Sequence, residues 1–157
     1  MSRCSSLKTL VATLSLVFCG QAGCASMQNT EKENQQTVAA VRAVIEAQAA
    51  AWNRGDIEGY MDGYERAETT TFVSGDNVMR GWQSVLERYK KSYDSREKMG
   101  TLAFSELDVK PLSEYYVVAT GRWQLTRETD TPHGRFTLIF RRTPAGWRII
   151  HDHTSSA

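Results

Sequence analysis

Gly134-Arg135-Phe136-Thr137-Leu138-Ile139-Phe140-Arg141-Arg142, then Thr143-Pro144-Ala145-Gly146, then Trp147-Arg148-Ile149-Ile150-His151-Asp152-His153-Thr154-Ser155 read as two strands joined by a tight turn. β-Branched and aromatic residues fit a pleated backbone, and the Pro and Gly of the middle segment stop both runs. Upstream, Tyr115 to Arg127 and Thr101 to Leu112 have the same composition, and Asp130-Thr131-Pro132 marks another turn. Four such runs with short connections predict an antiparallel meander. In the first run the apolar parity switches from Leu102 and Phe104 to Leu107 and Val109. That switch predicts a bulge near Ser105 or Glu106 that bends the strand.

Before Gly100 the period changes. Val38, Val41, Ile45, Ala49 and Trp52 recur at spacings of three and four, which predicts a helix with one buried face. Asn53-Arg54-Gly55 supplies its stop, Gly55 being free to take positive φ. Asp56 then caps a short second helix carrying Ile57, Tyr60, Met61 and Tyr64. Thr69 to Val73 and Val78 to Arg80 flank the turn Ser74-Gly75-Asp76-Asn77 and read as a hairpin. Trp82, Val85, Leu86, Tyr89 and Tyr93 define a third helix, with Glu87, Arg88, Lys90 and Lys91 pointing elsewhere.

The first 24 residues differ from the rest. They contain Arg3 and Lys8, no acid, and an apolar run from Leu10 to Phe18 that is too short to span a bilayer but suits an export signal. Gln21-Ala22-Gly23-Cys24 resembles the lipobox of bacterial lipoproteins, which implies lipid attachment at Cys24 and an address in the cell envelope, on a bacterial membrane. Residues 1–24 are therefore expected to be a signal, 25–36 a polar tether and 37–157 the domain. All three cysteines, Cys4, Cys19 and Cys24, lie in the signal, so no disulfide or thiolate site is expected in the domain. Without the signal, 17 Lys and Arg face 18 Asp and Glu. Such a balance excludes the basic surface that nucleic acid requires, and leaves membrane contact to the lipid anchor alone.

Three helices followed by a meander resemble the nuclear transport factor 2-like superfamily and, within it, the SnoaL-like and SgcJ/EcaC-type small proteins. The likeness is carried by Ala51-Trp52-Asn53-Arg54-Gly55-Asp56, Gly81-Trp82, Gly121-Arg122-Trp123 and the two terminal strands, and spans about Gln36 to Ser155. It implies an α+β, cone-shaped fold of three N-terminal helices packed on a curved antiparallel sheet. The tail also resembles the association domain of calcium/calmodulin-dependent protein kinase II, a non-catalytic assembly module.

Alternation sorts the strands into two faces. Trp123, Leu125, Phe136, Leu138, Phe140, Trp147, Ile149, His151 and His153 form one set; Arg122, Gln124, Arg135, Thr137, Ile139, Arg148, Ile150, Asp152 and Thr154 form the other. Composition alone turns the first set toward the helices. The resemblance implies the reverse, with Ile150, Asp152 and Thr154 facing a pocket and the aromatic set buried between two copies of a homodimer. The expected pocket is bounded by Trp52, Tyr60, Tyr64, Phe72, Tyr89 and Ile139, with Thr137 and Ile150 on its sheet wall and Arg122 and Asp152 as its charged groups.

Such a pocket suits a small amphipathic organic molecule. Desolvation would raise the pKa of Asp152 and fit it for acid–base work, as in relatives that isomerise, cyclise, dehydrate or open epoxides without a cofactor. Two other readings stand beside catalysis: anion binding anchored by Arg122, and a structural ion pair between Arg122 and Asp152. His151 and His153 have a spacing that some zinc sites use, but no third ligand is predictable, and no metal is expected. No phosphate loop, dinucleotide fingerprint or nucleophile elbow occurs.

Overall fold

The computed structural model describes residues 21–157, with side chains from Met27 onward. Residues 1–20 of the expected signal and the lipid-attachment thiol of Cys24 lie outside what is described, whereas the backbone of 21–24 is the first turn of a helix. Helix α1 spans Gln21–Asn53, α2 Ile57–Met61, α3 Trp82–Ser92 and the single turn α4 Arg96–Met99. The strands are β1 Thr71–Ser74, β2 Asn77–Arg80, β3 Thr101–Pro111, β4 Tyr116–Thr126, β5 His133–Thr143 and β6 Gly146–Thr154. They form one sheet in the order β2-β1-β6-β5-β4-β3. Every pairing is antiparallel except β1 with β6, which is parallel.

Local chemistry explains how α1 meets the sheet. Val41, Ile45 and Trp52 are buried, and Trp52 donates its indole N–H to Met99 O at 3.1 Å. Beside it, Asn53 accepts from Leu102 N at 2.7 Å and donates to Leu102 O at 3.0 Å, so one amide clamps the helix end to β3. Gly55 turns the chain at φ 84°, and Asp56 caps α2 by accepting from Gly59 N at 2.7 Å. Helix α1 continues back through 25–36, the stretch expected to be a polar tether. Met27 to Gln36 are all exposed, so the core does not hold them. No Gly or Pro interrupts the stretch, and a helix nucleated on the buried face propagates through such residues.

Two irregularities shape the sheet. The β3/β4 register shifts between Ser105 and Asp108, with Glu106 at φ 51°, in the place the parity switch predicts. A second shift lies in β6: Phe140 pairs with Ile149 and Ile139 with His151, leaving Ile150 as an extra residue. On its other edge β6 changes partner at the same point. Glu65 N donates to Ile149 O and Ile149 N to Gly63 O, whereas β1 takes over from His151. The bulge lets one strand serve two successive neighbours.

Candidate functional site

The β6 bulge decides which side chains face the helices. Trp147 and Ile149 point inward before it, and Asp152 is buried after it. Phe136, Leu138 and Phe140 of β5 and Leu125 of β4 are likewise buried against the helical layer. Trp123, Leu125, Phe136, Leu138, Phe140, Trp147 and Ile149 are therefore core and cavity wall, while His151 and His153, past the bulge, are not. The expected role of this set as a subunit interface is corrected, because its apolar members already pack into the core of one chain.

Between the layers lies a cavity of about 130 Å³. Gln48 and Trp52 of α1, Tyr60 of α2, Tyr64 after it, and Arg88 and Tyr89 of α3 line the helical side. Phe72, Leu102, Trp123, Phe136, Leu138 and Asp152 are among the residues that line the sheet side. The aromatic rings brace one another edge to face: Trp52 lies 5.2 Å from Tyr60 and 4.7 Å from Tyr93, and Phe72 lies 5.8 Å from Tyr89. A cavity near 150 Å³ lined by apolar side chains holds one benzene. This one is therefore sized for a single small ring, well below the ~300 Å³ at which drug-sized pockets begin.

Three polar side chains are buried among the described residues: Gln48, Thr70 and Asp152. Gln48 donates to Tyr60 O at 3.0 Å and Thr70 to Glu65 O at 2.6 Å, so both are satisfied by backbone. Asp152 is different. Its Oδ2 accepts from the Tyr64 hydroxyl at 2.6 Å, but its Oδ1 is buried with no hydrogen-bond partner. Burial pushes its pKa up to about 7, while the Tyr64 hydrogen bond and the Arg88 charge pull the other way. Tyr60, Tyr64 and Tyr89 are held above the usual phenol range, first by burial and then by nearby charge. All three remain neutral donors at ordinary pH.

The cavity cation is Arg88, not Arg122. Arg88 is half-buried on α3, with its guanidinium 4.5 Å above the Phe72 ring and 5.6 Å from that of Tyr89. Trp52, Tyr60, Tyr64, Phe72, Tyr89 and Asp152 line the cavity as expected from sequence. Arg122, Thr137, Ile139 and Ile150 do not, and the assignment of these four to the pocket is corrected. They belong to the opposite face: Arg122 pairs in register with Arg135 on β5, and Thr137 is exposed. The expected Arg122–Asp152 pair thus has its members on opposite sides of the sheet. Neither His151 nor His153 lines the cavity, and among the described residues no three His, Cys, Asp or Glu gather into a metal-sized group.

Sequence reasoning missed Arg88 because it sits one residue from Tyr89, about 100° around the helix, and reads as a solvated position. Its signal was the adjacent pocket aromatic.

No curated protein matches the chain. Among solved structures, a nuclear transport factor 2-like protein of unknown function from Shewanella oneidensis is similar at 39% identity and TM-score 0.71, over 73% of this chain and 95% of that one. A ketosteroid isomerase-like protein from Erwinia carotovora atroseptica shares the fold at 18% identity and TM-score 0.61, over 76% and 95%. So does a protein from Xanthomonas campestris described as a putative calcium/calmodulin dependent protein kinase II association domain, at 17% identity and TM-score 0.60, over 74% and 85%. The SnoaL-like domain family matches residues 41–157, most of the chain and the whole of the cavity-forming unit, and the chain belongs to that family, on the nuclear transport factor 2-like fold.

Proposed function

We propose that the protein binds a small organic molecule in the aromatic cavity, with Asp152 Oδ1 accepting a hydrogen bond from the ligand. The bare oxygen of Asp152 carries this reading. A buried acceptor left unpaired costs about 1–3 kcal/mol, and the two other buried polar side chains avoid that cost through backbone partners. A ligand hydroxyl would remove the penalty, and the ring walls would supply the apolar contact. Phenol is the matching probe, and calorimetric titration at pH 8, where Asp152 is mostly ionised, is the direct test. Replacing Asp152 by Asn should weaken phenol by about tenfold, the loss of one charge-assisted hydrogen bond. No heat from phenol in either protein would sink the reading.

A second reading, a cofactor-free isomerase, cyclase, dehydratase or hydrolase, is favoured by a different observation. A carboxyl group with a pKa of about 7, beside three neutral phenols, can take a proton from a ligand and return it. In that case Asp152→Asn removes turnover while the substrate still binds. The family likeness also supports pairing of two copies through the outward sheet face, where Val118, Ile139 and Ile150 are half-buried. Its leader supports export and attachment to a bacterial membrane through Cys24. A protein that pairs but takes up no small molecule would be an assembly module instead.

A further inference from the structure

Arg88 has no use in the pocket reading above, and the structure leaves it conspicuously poised. Among the described residues it forms no ion pair and no hydrogen bond to a side chain or backbone acceptor, although Glu87 precedes it and Lys90 and Lys91 follow. Its guanidinium is instead fixed by stacking on Phe72 and Tyr89, two rings that themselves line the cavity. A stacked guanidinium keeps its planar donor fork free for a ligand, at little further cost in side-chain entropy. The cavity lining thus carries one cation and one acid: Arg88, half-buried, is the more exposed, and Asp152, 5% exposed, is the deeper.

We infer that the pocket selects a benzene-sized carboxylate that also bears a hydrogen-bond donor, its carboxylate held by Arg88 and its donor by Asp152 Oδ1. The inference rests on the pocket reading and names its ligand class. The cavity volume admits one ring, and one guanidinium matches one planar carboxylate through two parallel hydrogen bonds. A phosphate ester would bring a second charge, for which no second cation lines the cavity. The carboxylate end lies where water still reaches, so its desolvation cost stays small. Both residues line the same cavity, and the Arg88 charge lowers the pKa of Asp152 against the effect of burial.

The test compares phenol with 4-hydroxybenzoate by calorimetry on the purified protein, its Arg88→Met and Arg88→Lys variants, and Arg122→Met as a control on the opposite face. In the native protein 4-hydroxybenzoate should bind at least about tenfold tighter than phenol, the value of a charge-assisted pair. Arg88→Met should bring that ratio to within twofold, and Arg88→Lys, with the charge but not the fork, should leave an intermediate ratio. Arg122→Met should keep the native ratio. Phenol binding without a preference for the carboxylate overturns this inference and leaves the pocket reading standing. A preference that survives Arg88→Met, or that Arg122→Met removes, overturns it as well. If neither compound binds, both fall together.

Discussion

At the scale of single residues, Asp152 is a group whose burial opposes stability. Its pKa rises from 3.8 to about 7 in the fold, so between those values the unfolded chain has released a proton that the native state retains. The sign follows: stability falls as pH rises through this window, and above it the full difference, on the order of 4 kcal/mol, weighs against folding. Asp152→Asn removes the ionisation and keeps an oxygen for the Tyr64 hydroxyl, at a cost of about 1–3 kcal/mol for its unpaired amide donor. Because the first figure exceeds the second, the variant should be more stable than the native protein at pH 8 and should lose that advantage by pH 4. Urea unfolding at the two pH values measures it. A variant less stable at both would mean that Asp152 is a structural group. The residue itself was legible as a buried acid near tyrosines, whereas its cation was not. Arg88 and Arg122 are equally basic in sequence, and the fold tells them apart: Arg88 lines the cavity stacked on Phe72 and Tyr89, and Arg122 stands on the opposite face.

At the scale of elements, bulges decide what a strand presents. The β3 bulge was legible because both of its halves carry apolar inward residues, so the switch of parity shows in hydropathy. The β6 bulge hides because its inward positions past Ile149 are Asp152 and Thr154, polar residues with a place in the cavity. These polar residues leave no hydrophobic signal there, and only the doublet Ile149-Ile150 remains as a hint. Strict alternation then forced a choice between two wrong faces: one put Trp147 and Ile149 inside with the histidines, the other put Asp152 inside with Arg148 and Ile150. The bulge makes a prediction that alternation does not. Deleting Ile150 removes the extra residue but preserves the pairs Phe140 with Ile149 and Ile139 with His151, so Asp152 stays inside. Its carboxyl should still titrate near 7 in an NMR pH series, in a protein destabilised by about 1–3 kcal/mol through loss of the local bend. In an unbulged strand the same deletion would turn Asp152 to the outer face and return its pKa to the ordinary range near 4.

At the scale of the whole molecule, the order of helices, hairpin and meander was readable because long periodic runs report burial over many residues at once. The parallel β1–β6 pair was not, since a four-residue strand contains no information about its partner. The remaining question of scale is how the cone is placed in a cell, and there the proposed export signal and α1 bear on one prediction. Residues 1–24 have the charge and apolar run of an export signal, ending at Cys24, and Met27 to Gln36 continue as a fully exposed helical stretch. Ten residues of helix reach about 15 Å, which would hold the domain clear of a lipid surface if Cys24 carries the proposed anchor. No helix among the described residues is long and apolar enough to cross a membrane. Cells fed an alkyne-bearing palmitate should therefore label the native protein, and Cys24→Ser should abolish the label and release the protein from the membrane fraction. Cys4 and Cys19 lie within the segment that the proposed processing would remove, which would leave Cys24 as the thiol that carries the label. A native protein that stays unlabelled and fractionates with soluble material would refute the anchor and leave the helical stretch as a spacer without a tether.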